Sequence, residues 1–216
     1  MRDLAVRKET MLANHLMARG IRDPAVIAAM REVPREDFIA PELREHAYDD
    51  TPLPIGAGQT ISQPFIVAYM IEALELSPKD RALEIGTGSG YAAAVLSRVA
   101  AEVYTVERLA NLAREAEARL QSLGYTNIHV LEGDGTVGWA EKAPFDAIVV
   151  TAGAPDVPEP LLDQLAVDGR LVIPVGSSYF YQELVRVRRV GTTEYRREYL
   201  TDVRFVPLIG AKGWRE

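Results

Sequence analysis

Along most of this chain, short apolar runs alternate with longer amphipathic stretches, and the period of each run predicts its element. Residues 82–85 are apolar apart from Glu84 and lead into Gly86-Thr87-Gly88-Ser89-Gly90, after which residues 91–100 are rich in Ala, Val and Leu. A buried strand that enters glycines and a helix that leaves them make the first turn of a βαβ unit. A second strand over 102–106 is followed by a helix over 108–123, and a third over 127–131 runs into Gly133-Asp134-Gly135. The fourth, 145–150, is apolar apart from Asp146, as a parallel strand covered on both faces should be. Residues 169–175 predict a fifth strand, with Asp168-Gly169 as the turn ahead of it. The segments 183–190 and 194–206 predict an antiparallel pair across Gly191-Thr192. Arg186, Arg188, Arg189, Arg196 and Arg197 are expected on its wet face. The fold expected is α/β: a Rossmann-like, doubly wound, mostly parallel sheet with an antiparallel edge hairpin and an N-terminal helical segment.

Upstream, the pattern predicts two or three helices to about residue 45, a loop over the Pro- and Gly-rich segment 51–60, and a helix from Ser62. One domain is expected over 1–216, divided into N-terminal helices and a loop (1–60), a core (61–190), and a C-terminal strand and tail (191–216) whose end beyond Gly210 frays.

Composition narrows the picture. At 216 residues, 48% hydrophobic and 25% charged, the chain can bury one sizeable core. Its net charge of −7 argues against a general nucleic-acid binder, which needs a basic face. Residues 1–20 carry charges throughout, no segment approaches a membrane span, and there is no cysteine, so a cytoplasmic protein is expected. His15, His46 and His129 lie apart without ligand spacing, and Asp49-Asp50 reads as a turn; no metal is expected.

The chemistry starts at the glycines. They tolerate positive φ and let backbone approach a ligand at the start of a helix. The dinucleotide fingerprint needs a glycine where this chain has Tyr91, which argues against NAD. Glu107, 21 residues after Gly86, stands where an acidic side chain takes the ribose hydroxyls of a bound nucleoside. It also suits the positive end of the following helix; the glycines ahead of it favour the ligand. Asp134 falls at the carboxyl end of the third strand, where it could accept from an adenine amino group.

Together the glycine turn, the acidic end of strand two and the Gly-Asp-Gly resemble the class I S-adenosylmethionine-dependent methyltransferases. The stretch Tyr48-Asp49-Asp50-Thr51-Pro52-Leu53-Pro54-Ile55-Gly56-Ala57-Gly58-Gln59-Thr60-Ile61-Ser62-Gln63-Pro64 resembles, more narrowly, the protein-L-isoaspartate O-methyltransferases. Agreement extends to Val33-Pro34-Arg35-Glu36-Asp37-Phe38, to 144–152 and to Arg204-Phe205-Val206-Pro207-Leu208, nearly the whole chain. The resemblance implies methyl transfer from S-adenosyl-L-methionine to the α-carboxylate of L-isoaspartyl residues in damaged proteins. The ester then collapses to a succinimide whose hydrolysis returns some aspartate. It implies that Ser62 contacts the substrate carboxylate, with Thr60 and Ile61 beside it, and that backbone around Val206 pairs with the peptide. Glu84, Gly86, Thr87, Gly88, Ser89, Gly90, Glu107, Arg108, Asp134 and Gly135 would surround the cofactor. The family implies a monomer; from the residues, charge and hydropathy above, no metal, nucleic acid or membrane partner is expected.

Read from the residues alone, Ser62 ahead of Gln63-Pro64 and an apolar run is what a helix N-cap looks like. Capping and function are compatible, because a helix N-terminus presents free N–H groups suited to a carboxylate. An acceptor carboxylic acid with a pKa near ~4 is already ionised at neutral pH, so no general base is required. Methyl transfer to a small-molecule hydroxyl or to RNA is the alternative within the fold, and a cofactor-binding module without turnover is the alternative outside catalysis. The N-terminal loop and the end of the last strand are expected to cover the substrate peptide.

Overall fold

The computed structural model describes residues 4–178 and 180–215. The N-terminal segment begins with α1 (Leu4–Thr10), which runs through a π-helical turn, Met11–Leu16, and is followed by α2 (Pro24–Glu32). Asp23 caps α2, its carboxylate accepting from Ala25 N–H at 2.8 Å, with Pro24 in the first turn where its missing N–H costs nothing. Two 3₁₀ turns, Arg35–Phe38 and Pro41–His46, complete the segment.

The segment 51–60 is not a loop. β1 (Leu53–Gly56) and β2 (Gln59–Ile61) form an antiparallel hairpin, Leu53 opposite Ile61, whose tight connection uses positive φ at Gly56, Ala57 and Gly58. The helix after it, α3 (Pro64–Ala73), starts two residues later than the sequence pattern placed it.

The sheet proper follows: β3 (Arg81–Ile85), α4 (Tyr91–Leu96), β4 (Glu102–Glu107), α5 (Ala110–Ser122), β5 (Ile128–Glu132), β6 (Phe145–Val150), α6 (Glu159–Asp163), β7 (Leu165–Val175), β8 (Gln182–Arg189) and β9 (Tyr195–Val203). Its order is β5-β4-β3-β6-β7-β8-β9, parallel through β7 and antiparallel for the last two pairs. The expected mostly parallel sheet with an antiparallel edge is therefore what the chain forms. Asp168-Gly169 is not a turn ahead of a strand but a bulge inside β7. Asp168 has φ +64 there, and the pairing steps from Phe145↔Leu165 to Ala147↔Arg170.

Successive residues of the central strands point to opposite faces and both faces are covered, which explains why these strands read as largely apolar runs. Ala82, Val103, Ala147, Val149 and Val172 join the core under α2, α3 and α4. Leu83, Val106, Ile148, Val150, Leu171 and Ile173 join a second core with Leu161 of α6 and Leu208. Phe38, 1% exposed, pins the N-terminal segment to the first core edge-on against Tyr91 and Tyr125, with ring centroids 5.6 and 6.4 Å away.

The arginines of the edge hairpin are less idle than a wet face. Arg186 Nη1 donates to the Ala73 carbonyl at 3.2 Å and to Glu75 at 2.9 Å, and beside it Arg170 Nε of β7 donates to the Leu74 carbonyl at 2.6 Å. They satisfy carbonyls left open where α3 ends. The tail does not fray either: Ala211 N–H donates to Asp134 Oδ2 at 2.8 Å, Lys212 N–H to Thr136 Oγ1 at 3.0 Å, and the Trp214 indole to the Gly153 carbonyl at 3.0 Å.

Candidate active site

The chain leaves β3 toward β4 on one side and β6 toward β7 on the other, so the carboxyl ends of β3 and β6 bound the point where strand order reverses. Open α/β sheets bind ligands there. Gly86, Gly88 and Gly90 follow β3 with φ of +99°, +54° and +89°, and Thr151 follows β6. A Cβ on Gly86 would lie 2.3 Å from Thr151 Oγ1, and one on Gly88 would lie 3.2 Å from the Ile55 methyl of the hairpin. The turn is thus held close on both sides, and side chains are excluded from it by space as well as by φ.

Glu107, buried at the end of β4, bridges the glycine turn and the start of α5. Its Oε2 accepts from Gly88 N–H at 2.9 Å, bracing the glycine turn, and its Oε1 accepts from Leu109 N–H at 3.0 Å, at the start of α5. Each oxygen keeps a further lone pair for a ligand. Glu84 is fully buried; Thr105 Oγ1 donates to its Oε2 at 2.6 Å, and the Thr87 and Thr105 hydroxyls are 2.7 Å apart. Burial pushes the Glu84 carboxyl up to about 8, against the pull of the Thr105 hydroxyl and with a further push from the Glu107 charge.

Asp134 is placed otherwise than the sequence suggested. Its Oδ1 accepts from Thr136 N–H at 2.9 Å and from the Thr136 hydroxyl at 2.6 Å, while Oδ2 holds the tail. Burial would raise its pKa, but the Ala211 and Thr136 donors and the charge of Arg108 outweigh that and hold it below the ordinary carboxylate value. Its side chain anchors the C-terminal segment, and it is Gly135, next in the chain, that reaches the cleft.

Three connected hollows make up the site. An outer cleft of about 120 Å³ is walled by Gly86, Gly88, Val106, Glu107, Arg108 and Gly135 on one side and by Val206–Ile209 on the other. An inner cavity of about 50 Å³ lies against Glu84, Gly86, Thr87, Gly88, Ser89 and Ile61. A groove of about 850 Å³ opens to the surface between Ser62, Phe65 and Arg19 on one wall and Phe180 and residues 201–207 on the other. Thr60 and Thr151 border all three; Ser62 borders the cavity and the groove, and Val206 the cleft and the groove. Of the expected site residues only Gly90 and Asp134 line none of them.

Ser62 is not the cap of α3. The cap comes from 15 residues upstream, where Asp50 Oδ1 accepts from Phe65 N–H at 3.0 Å while its Oδ2 takes Arg19 at 2.5 Å. The Ser62 carbonyl instead accepts from Arg35 Nη2 at 3.0 Å, and the same guanidinium donates to the Ala47 carbonyl and, at 3.3 Å, to the Thr51 carbonyl. Arg35 has no solvent exposure, and desolvation lowers its pKa despite the nearby Tyr91, Asp50 and Tyr48. It ties both ends of the hairpin to the N-terminal segment.

Sequence reasoning passed over Thr151, Arg35, Asp50 and the groove aromatics Phe65 and Phe180. Thr151 had a signal, a polar residue directly after an apolar parallel strand at its carboxyl end. Arg35 had none, because nothing in a sequence says that an arginine followed by two acidic residues is buried.

The match to the family model Protein-L-isoaspartate(D-aspartate) O-methyltransferase covers residues 6–213. The chain is 70% identical over 213 residues to Protein-L-isoaspartate O-methyltransferase 1 of Geotalea uraniireducens, covering 99% of this chain and 97% of that one. It is 68% identical to Protein-L-isoaspartate O-methyltransferase 2 of Pelobacter propionicus, with 99% and 95% covered. Among solved structures it resembles a protein-L-isoaspartate O-methyltransferase with a TM-score of 0.86 at 31% identity, covering 95% of this chain and 67% of that one. It also resembles a Plasmodium falciparum protein described as a putative member in complex with S-adenosyl-L-homocysteine, with a TM-score of 0.79 at 30% identity and 94% and 98% covered. With its glycine turn at the strand-order switch, its groove at Ser62 and relatives aligned over nearly its full length, this chain belongs to the protein-L-isoaspartate(D-aspartate) O-methyltransferase family.

Proposed function

We propose that this chain repairs damaged proteins by transferring a methyl group from S-adenosyl-L-methionine to the α-carboxylate of L-isoaspartyl residues, with the outer cleft and inner cavity holding the cofactor and the groove holding the peptide. The observation that carries this reading is the junction at Thr60 and Thr151, which border cleft, cavity and groove alike, so that a group in the cleft and a group in the groove can meet there.

The residues fit the cofactor. The glycine turn approaches so closely that a Cβ would clash, Glu107 presents a carboxylate to the cleft, and the buried Oε1 of Glu84 has no partner within the protein. When bound, S-adenosylmethionine supplies a methyl group activated by its sulfonium. Glu107 is suited to the ribose hydroxyls, and Gly135, Val106 and Leu109 to the adenine end.

The acceptor carboxylate is ionised at neutral pH, so the protein need not remove a proton from it. Ser62 and Thr60 offer neutral hydroxyls, which orient an anion without the strong ion pairing that would favour the ground state over a transition state in which charge is being lost. The Val206 carbonyl is engaged by Gly153 N–H at 2.8 Å, so what Val206 offers a peptide is its N–H. Holding the two reactants in line can be worth roughly 7–11 kcal/mol. The hairpin β1–β2, with Ile55 against Gly88, and the segment 203–207 cover the site from two sides. No helix among the described residues is long and apolar enough to cross a membrane, in keeping with action in the cytoplasm.

The test is methyl transfer from labelled cofactor to twin peptides that differ only in L-isoaspartate against L-aspartate, read as base-labile methanol. Label on the isoaspartyl twin alone is expected, and its loss in Ser62→Ala with cofactor affinity kept. Equal labelling of both twins, or of neither while cofactor binds, overturns the assignment.

A further inference from the structure

Two phenylalanines stand on opposite walls of the groove, and each carries an arginine. On the α3 wall the Arg19 guanidinium lies 3.6 Å from the centroid of the Phe65 ring, with Asp50 taking its Nη1 at 2.5 Å. Tyr69 stacks on the same ring, centroids 5.6 Å apart and planes 11° from parallel, and its hydroxyl donates to the Leu200 carbonyl of β9 at 3.5 Å. Phe65 is thus held by two neighbours, and α3 is joined to the strand that leads into the opposite wall. On that wall the Arg204 guanidinium lies 5.3 Å from the Phe180 centroid, and Phe180 has no other ring contact among the described residues. Its side chain is 67% exposed. A lone exposed phenylalanine elsewhere on a surface would need no explanation. This one lines the groove, and a cation against it fixes its orientation while leaving ring surface for a peptide to cover.

The charges of the groove do not select a sign. Arg19 is balanced by Asp50, and Arg204 shares its wall with Asp202. What both walls have in common is ring surface, to which Ile66, Val203 and Phe205 add apolar area.

We propose that Phe180 is a specificity-determining residue: with Phe65 it grips a large apolar side chain, best an aromatic one, on a residue close to the isoaspartyl residue in the peptide. This rests on the groove being the peptide site, as proposed above. A ring laid on Phe180 removes apolar surface of both partners from water and gains stacking beyond the area it buries, whereas a charged neighbour gains neither. Because Arg204 orients the ring beforehand, less freedom is lost when the peptide arrives. Aromatic side chains are mostly buried in intact proteins, so this preference directs methylation to damaged sites whose surroundings have unfolded.

The test is steady-state methylation of short isoaspartyl peptides in which one position at a time, from two residues before the isoaspartyl residue to two after it, carries Phe, Ala, Glu or Lys. At one of these positions KM for the Phe peptide is expected about fivefold below that for the Ala peptide, with kcat little changed and with Glu and Lys no better than Ala. In Phe180→Ala that ratio is expected to fall to about one, and Phe180→Trp is expected to keep it; calorimetry with S-adenosyl-L-homocysteine reports whether each variant is folded. Indifference of the wild type to Phe at every position, a preference for Glu or Lys over Phe, or a Phe preference that survives Phe180→Ala overturns the proposal. Should the variants not fold, the peptide series on the wild-type chain decides. Failure to methylate any isoaspartyl peptide while the cofactor binds would instead overturn the reading of the groove, and this inference with it.

Discussion

The hydroxyl of Thr151, one residue beyond β6, donates to the Gly86 carbonyl at 2.9 Å. That bond joins the ends of β3 and β6 across the point where the sheet reverses its order, and it lies on the wall shared by cleft, cavity and groove. Replacing Thr151 by Val keeps the shape and deletes the donor. A partly buried carbonyl left unpaired costs about 1–3 kcal/mol, so Thr151→Val is expected to lower both the unfolding midpoint and the affinity for S-adenosyl-L-homocysteine. Thr151→Ser is expected to restore both. Wild-type cofactor affinity in Thr151→Val, measured by calorimetry, would show that the brace is dispensable.

Arg35 predicts a different failure. It supplies three carbonyls, Ala47, Thr51 and Ser62, from a position closed to water. Arg35→Met removes the charge and fills part of the space but leaves carbonyls unsatisfied, at about 1–3 kcal/mol each where no water can replace the donor. Chemical denaturation should show the loss, and steady-state kinetics should show KM for an isoaspartyl peptide rising more than KM for the cofactor. Equal changes in the two would mean that Arg35 supports the fold without specially holding Ser62.

Asp50 and Ser62 separate capping from chemistry. Because Asp50 caps α3, Asp50→Ala is expected to cost about 0.5–2 kcal/mol of stability, whereas Ser62→Ala should leave the thermal midpoint nearly unchanged. The opposite ranking in a thermal melt would return the cap to Ser62.

Glu84 makes the stability of the unliganded chain depend on pH. Its carboxyl titrates at about 8 in the folded chain against 4.5 when exposed, so the folded state holds the proton more tightly. The stabilisation is complete below 4.5 and is lost as pH rises through about 8, at about 1.4 kcal/mol per unit of difference. Glu84→Gln cannot lose a proton there. Relative to the wild type, its midpoint is expected to rise from pH 5 to pH 8 and to level off above. A parallel pH course for the two proteins in differential scanning calorimetry would refute the neutral buried acid.

Much of this molecule could be read before its structure. The central strands were legible because both of their faces are covered, which leaves apolar runs that no amphipathic helix would show; the glycine turn was legible because positive φ and close approach admit little else. The β1–β2 hairpin was not. Its sequence, rich in Pro and Gly, satisfies the chemistry of a loop as well as that of a tight hairpin, and only the contact of Ile55 with the glycine turn and the grip of Arg35 at its ends choose between them. Asp134 shows the same limit. A Gly-Asp-Gly at a strand's end announces a turn near a ligand, but which way the carboxylate faces was settled by a tail 77 residues further on.

By itself the sequence determined the succession of the main sheet's strands, the place of the cofactor turn and the family, because these rest on local conformational demands and on the period of burial. The tertiary structure decided what no local rule contains: that Thr60 and Thr151 border all three hollows, that Asp50 rather than Ser62 caps the helix, and that one oxygen of Glu84 is left without a partner. Each of these is a meeting of residues far apart in the chain, and such meetings are set by how the layers pack, since desolvation and hydrogen-bond satisfaction are properties of the assembled interior and not of any stretch of chain.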